Sequence, residues 1–153
     1  MPDSSSGPLS GKVAIGMNSK STLLCVNDNP KSRAFLAGVL EKYDFEVIPA
    51  SGPAEALAIL ETVSCDLALL DYHMPVMTGA ELAQEIRQLN PDLPIVLMAG
   101  VSTLPDSELA GVDAFIGHGS TLDDLVDLIR RLSSHFPAQL RDGIPAAAWN
   151  SFT

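Results

Sequence analysis

Two aspartates in this chain stand where short apolar runs end. Leu23-Leu24-Cys25-Val26 leads into Asn27-Asp28, and Leu67-Ala68-Leu69-Leu70 leads into Asp71. If the two runs are adjacent parallel strands, their carboxylates face one another over the sheet edge. Uncompensated carboxylates a few ångströms apart repel, so the pair implies either a raised pKa or a bound cation. A hard divalent ion such as Mg2+ suits oxygen ligands of this type and tolerates retained waters. Spacing alone leaves a plainer role open, in which Asp28 and Asp71 cap the loops that follow them. The ends of two further runs are Ala99-Gly100 and Gly117-His118-Gly119.

The elements that must hold these residues follow from the hydrophobic pattern. Leu23–Val26, Leu67–Leu70 and Ile95–Met98 are apolar at consecutive positions, as expected of strands covered on both faces by helices. Phe45–Ile48, interrupted by Glu46, and Ala114–Ile116 are weaker candidates for two more strands. Helical patterns with start signals lie between them. Asn29 is expected to cap a helix with Pro30 at its first position, and Phe35, Leu36, Val39, Leu40 and Tyr43 fall on one face. Ser51 and Pro53 open a second helix, with Leu57 and Leu60 inward. Thr78 and Glu81 form a capping box ahead of Leu82, Ile86 and Leu89. A short helix is expected around Asp106–Ala110, and Ser120 with Asp123 is expected to cap the last helix, which carries Leu122, Leu125, Val126, Ile129 and Leu132.

Strand and helix thus alternate five times. Right-handed crossovers require one doubly wound parallel sheet with helices on both faces. In such sheets ligands bind beyond the carboxyl ends of the strands, which is where Asp28 and Asp71 lie. The organisation expected is a tail over residues 1–20, a domain over 21–136 and a second tail over 137–153.

Composition narrows the function classes. Nine Lys and Arg against nineteen Asp and Glu give a formal charge of −10, which disfavours phosphate backbones and anionic lipid, so neither nucleic acid nor membrane is expected as a partner. No basic start followed by an apolar run marks a secretory signal, and Pro94–Val101 is too short to span a bilayer. Cys25 and Cys65 lack metal-ligand spacing and read as reduced thiols in the core of a cytoplasmic protein.

The segment Leu67-Ala-Leu-Leu-Asp71-Tyr-His-Met-Pro75-Val-Met-Thr-Gly79 closely resembles the phosphoacceptor segment of receiver domains of bacterial response regulators. Leu23–Pro30, Leu93–Leu97 and Gly111–Ile116 resemble that family's first strand with its acidic pair, its fourth strand and its fifth. The resemblance implies a flavodoxin-like strand order 2-1-3-4-5. It implies that Asp71 accepts a phosphoryl group from a sensor histidine kinase or phosphotransfer protein. It also implies that Mg2+ is held by Asp28, Asp71 and the backbone carbonyl of His73. Four positions depart from the family pattern. Asn27 replaces an acid, Ala99 replaces a hydroxyl residue, His118 replaces a lysine, and Phe115 supplies an aromatic ring without a phenol. A histidine is a poor substitute for an ammonium that pairs with a phosphoryl group.

The resulting expectation is a signalling module and not an enzyme. It is a single-domain receiver in a phosphorelay, with weakened phosphorylation and switching. No output domain fits in the residues after Phe136, so output goes to a downstream protein target. The alternatives are a phosphorylation-independent binding module, or a small α/β enzyme that uses His118 for acid–base work in the same cleft. Gly7–Val13 superficially matches a phosphate-binding loop, but the spacing is one residue short and no strand precedes it. Val13–Met17 is expected to dock on an edge strand of the domain or of a second copy, the latter giving a homodimer. His135 reads as a favourable charge at a helix end, and Trp149 and Phe152 either anchor a partner or fold back onto their own domain.

Overall fold

A computed structural model of the chain describes residues 20–133. The expectations for Gly7–Val13, Val13–Met17, His135, Trp149 and Phe152 lie outside the described residues.

The elements in chain order are β1 (Thr22–Val26), α1 (Pro30–Lys42), β2 (Glu46–Ala50), α2 (Pro53–Thr62), β3 (Leu67–Asp71), α3 (Gly79–Leu89), β4 (Ile95–Met98), α4 (Asp106–Leu109), β5 (Ala114–Ile116) and α5 (Leu122–Ser133). The five strands form one parallel sheet in the order β2-β1-β3-β4-β5. This is the doubly wound order expected.

Alternate strand residues enter different cores, which explains why the runs are apolar at every position. Leu23, Cys25, Leu67, Leu69, Val96 and Ile116 pack on one face with α1 and α5. Leu24, Val26, Ala68, Leu70, Leu97 and Phe115 pack on the other with α2 and α3. Burial pushes the Cys25 thiol up to about 12, with nearby Cys65 adding to the shift. Cys65, half-buried and beside Asp66, rises to about 11. Both cysteines are free and protonated at neutral pH, as expected of core thiols.

Two helix starts match the sequence signals. The Asn29 side chain accepts from Lys31 and Ser32 N–H at 3.0 Å each, with Pro30 at the first helical position. Thr78 and Glu81 close a reciprocal capping box with bonds of 2.9 and 3.1 Å. Two others differ. Gly52, extended and without a side-chain bond, is the N-cap of α2, and Ser51 instead donates its N–H and hydroxyl to Glu55. At α5 the reciprocal pair is Thr121 with Asp124 and not Ser120 with Asp123. Gly119 turns through φ +98°, and Ser120 N–H bonds back to Gly117 O, so the loop is one residue longer than expected.

The buried stripes are narrower than helical periodicity alone suggests. Phe35 is 70% exposed and Leu89 63%, and Leu122 is also exposed; Leu128, absent from the expected stripe of α5, is fully buried. Among the described residues no helix is long and apolar enough to cross a membrane.

Candidate functional site

The carboxyl ends of β1 and β3 are neighbours in the sheet, with Val26 paired to Leu70, so Asn27-Asp28 and Asp71 emerge side by side. Asp28 is exposed and Asp71 half-buried. Burial pushes the Asp71 carboxyl above its ordinary value and the nearby Asp28 charge pushes it further. The His73 charge and the N–H groups of Tyr72 and His73 act in the opposite direction. The structure therefore brings together the two carboxylates singled out in the sequence, and sets His73 close enough to Asp71 to act on its charge.

The loop behind Asp71 is built on close approach of backbone to backbone. Tyr72 N–H donates to Met98 O at 2.7 Å, and Gly79 N–H donates to Tyr72 O at 2.9 Å. A Cβ on residue 79 would sit 2.4 Å from the Asp71 carbonyl oxygen and 2.7 Å from Leu97 Cδ1, so only glycine fits. Met74 is buried and anchors the loop in the core, while Pro75 and Val76 are exposed.

The remaining positions are more dispersed. Asn27 Oδ1 accepts from Asn29 N–H at 2.9 Å, and the Asn27 carbonyl accepts from Arg33 Nη1 at 2.8 Å. Asn27 thus organises the turn into α1, a role that the sequence reading of this residue did not include. Ala99 is partly buried, and its N–H donates to Ile116 O at 3.1 Å. Phe115 is buried, and its Cε2 would lie 2.8 Å from a Cβ at Gly117. His118 is exposed in the loop after β5, its N–H donating to Val101 O at 2.9 Å. Sequence reasoning also missed Tyr72, whose hydroxyl donates to Glu108 Oε1 at 2.7 Å.

The donor chemistry suits a hard divalent ion. Two mutually repelling carboxylates gain from a cation between them, and the His73 carbonyl is a further oxygen on the same loop. Among the described residues no three His, Cys, Asp or Glu side chains gather into a cluster, so such an ion would keep several waters.

The raised Asp71 pKa carries a stability consequence. Between the ordinary carboxylate range and the raised folded value, the native chain holds a proton that the unfolded chain has released. Stability therefore falls as pH rises through that window and stays lower above it. In buffer with chelator, Asp71→Asn is expected to melt above the natural chain at neutral pH, and the gap should close on acidification below the ordinary carboxylate pKa. Thermal unfolding at a series of pH values checks this, and a gap that does not vary with pH contradicts the burial and repulsion described above.

Comparison with known proteins gives a consistent result. Residues 23–130 match the family model described as response regulator receiver domain. The heme response regulator HssR of Staphylococcus saprophyticus is 27% identical over 126 residues, covering 80% of this chain and 56% of that protein. The sensor histidine kinase RcsC of Salmonella typhi is 32% identical over 125 residues, covering 80% of this chain and 13% of that protein. The chain thus spans about half or less of these two relatives. Among solved structures, the response regulator protein TrrA of Thermotoga maritima in complex with Mg(2+)-BeF superposes with TM-score 0.69 at 28% identity, covering 73% of this chain and 98% of that one. The complex of histidine kinase ThkA with TrrA gives TM-score 0.69 at 30% identity, covering 74% and 99%.

Proposed function

Because the chain belongs to the response regulator receiver domain family of two-component signalling, we propose that Asp71 is its phosphoacceptor, working with weakened phosphorylation and switching. The observation that carries this is the half-buried Asp71 at the end of β3, its carboxyl pushed up by burial and by Asp28. An Asp71 oxygen attacks phosphorus in line, forming an O–P bond as the N–P bond of a phosphohistidine breaks and the freed imidazole takes up a proton. The donor is a sensor histidine kinase or phosphotransfer protein; TrrA, a relative, is solved in complex with such a kinase. Mg2+ held by Asp28, Asp71 and the His73 carbonyl would neutralise charge on the transferring oxygens. Output passes to a downstream protein in the cytoplasm.

The weakening follows from the residues around Asp71. Ala99 offers no hydroxyl to a phosphoryl oxygen. His118 is exposed, and the charges acting on Asp71 among the described residues are those of Asp28 and His73. A second reading, a phosphorylation-independent binding module, is favoured by Phe115, whose ring is already buried. The acid–base enzyme built on His118 finds no support in this geometry.

Incubation with Mg2+ and acetyl phosphate, followed by intact mass, is expected to show slow addition of one phosphoryl group, and none in Asp71→Asn. In the absence of donor, Mg2+ should bind at millimolar concentration, shifting amide resonances in the loops after β1 and β3, and Asp28→Ala should weaken it at least about tenfold. No labelling at any time point would leave the binding-module reading standing. Mg2+ shifts that persist unchanged in Asp28→Ala would remove the metal assignment.

A further inference from the structure

Tyr72 directly follows Asp71 and reaches a different element. Its main chain is fixed on both sides, by Met98 O and by Gly79 N–H. Its hydroxyl donates to Glu108 Oε1 on α4 at 2.7 Å, across 36 positions of sequence, in a partly buried bond. The His73 and Tyr72 rings meet at right angles, centroids 4.9 Å apart at 86°.

The element at the other end is weakly held. α4 is four residues long, has no buried residue, and starts at Pro105 without a side-chain cap. Leu104 and Leu109 pack only partly against the core. A single helical turn is not stable on its own, so its placement depends on such side contacts. A hydrogen bond onto an ionised carboxylate is one of the stronger contacts available to it.

We propose that the Tyr72–Glu108 hydrogen bond is a latch through which the state of Asp71 reaches α4. It rests on the phosphoacceptor reading above. In this chain Ala99 has no hydroxyl with which to respond to a phosphoryl group. The Phe115 ring is already buried, beside Gly117, where a Cβ would stand 2.8 Å from it. Tyr72, in contrast, is bonded one residue from Asp71 and ends on α4. A change in charge or occupancy at Asp71 that moves Tyr72 changes the geometry of that bond. Coupling of this kind is reciprocal, so loosening α4 must change the binding properties of the Asp71 pocket in return.

The test is amide hydrogen exchange of peptides covering residues 104–110, in the natural chain, Tyr72→Phe, Glu108→Gln and Glu108→Ala, with and without Mg2+ and beryllofluoride as a phosphoryl mimic. Tyr72→Phe and Glu108→Ala are expected to speed exchange in 104–110 about fivefold, with peptides of β1 and β3 unchanged. Glu108→Gln, which keeps the acceptor oxygen, should recover much of the protection. Adding the mimic should alter 104–110 in the natural chain and not in Tyr72→Phe, while the affinity of the mimic shifts between them. An equal response in both chains overturns the latch and leaves the phosphoacceptor reading intact. If the mimic binds neither chain, the phosphoacceptor reading fails. The latch is then judged by Asp71→Asn, which removes the adjacent charge without a ligand. It must alter exchange in 104–110 when Tyr72 is present and not in the Tyr72→Phe background, and any other pattern overturns it.

Discussion

Placing Thr at position 99 and Lys at position 118 together is expected to raise the rate of acetyl phosphate labelling at Asp71 by about 10²- to 10³-fold. The Thr hydroxyl would bond a phosphoryl oxygen from the end of β4, and the ammonium would meet the charge that develops on the phosphoryl group. Ala99 is partly buried and its backbone is already anchored to Ile116, so the larger side chain enters a fixed position. His118 is exposed, so a longer side chain can be placed there. Each change alone should accelerate labelling less than the pair, since two donors aimed at one anion act together. Asp71→Asn in the same background must remain unlabelled. Single-turnover labelling followed by mass measures all four proteins. Fast labelling of the natural chain, with no gain from the double replacement, would mean that Ala99 and His118 are not what limits it.

A large loss of stability away from the site is expected for Arg87→Ala. The guanidinium donates to the carbonyls of Pro91 and Leu93 at 2.8 Å each and to Gly111 O at 3.1 Å, and it pairs with Asp113 Oδ2 at 2.7 Å. The same Asp113 oxygen accepts from Ile95 N–H at 2.8 Å, at the first residue of β4. One side chain thus ties the end of α3, the entry to β4 and the turn before β5. Its side chain is only 29% exposed, so water replaces these bonds incompletely. Truncation should cost about 2–3 kcal/mol, a large part of the stability of an ordinary domain. That corresponds to a fall in melting temperature of roughly 10 °C. Arg87→Lys should recover little, because an ammonium cannot span four acceptors in a planar fork. Chemical denaturation of the three proteins decides it, and an Arg87→Ala midpoint near that of the natural chain would show the network to be dispensable.

Much of this molecule is legible locally. Three runs apolar at every position read as strands buried on both faces, and together with two weaker candidates they alternate with helical patterns to leave one doubly wound sheet. Asn29 and Thr78 announce helix starts because each cap is made with backbone N–H groups two or three residues away. Asp71 is legible for the same reason: its strand, its loop and Gly79 are contiguous, and the glycine is required by backbone contact with Asp71 itself.

Tertiary packing decided the rest. Periodicity gives the direction of a helix's apolar stripe but not its width, so Phe35 and Leu89 fit the pattern and still lie exposed, with no element among the described residues covering them. Ser120 and Thr121 are both competent caps. The positive φ of Gly119 and the bond from Ser120 to Gly117 carry the chain one residue further, and Thr121 takes the place. Arg87 with Asp113 and Tyr72 with Glu108 are joined across 26 and 36 positions, which leave no periodic trace. Such pairs exist only because the sheet order sets β3 beside β4 and β4 beside β5, bringing together loops that are remote along the chain.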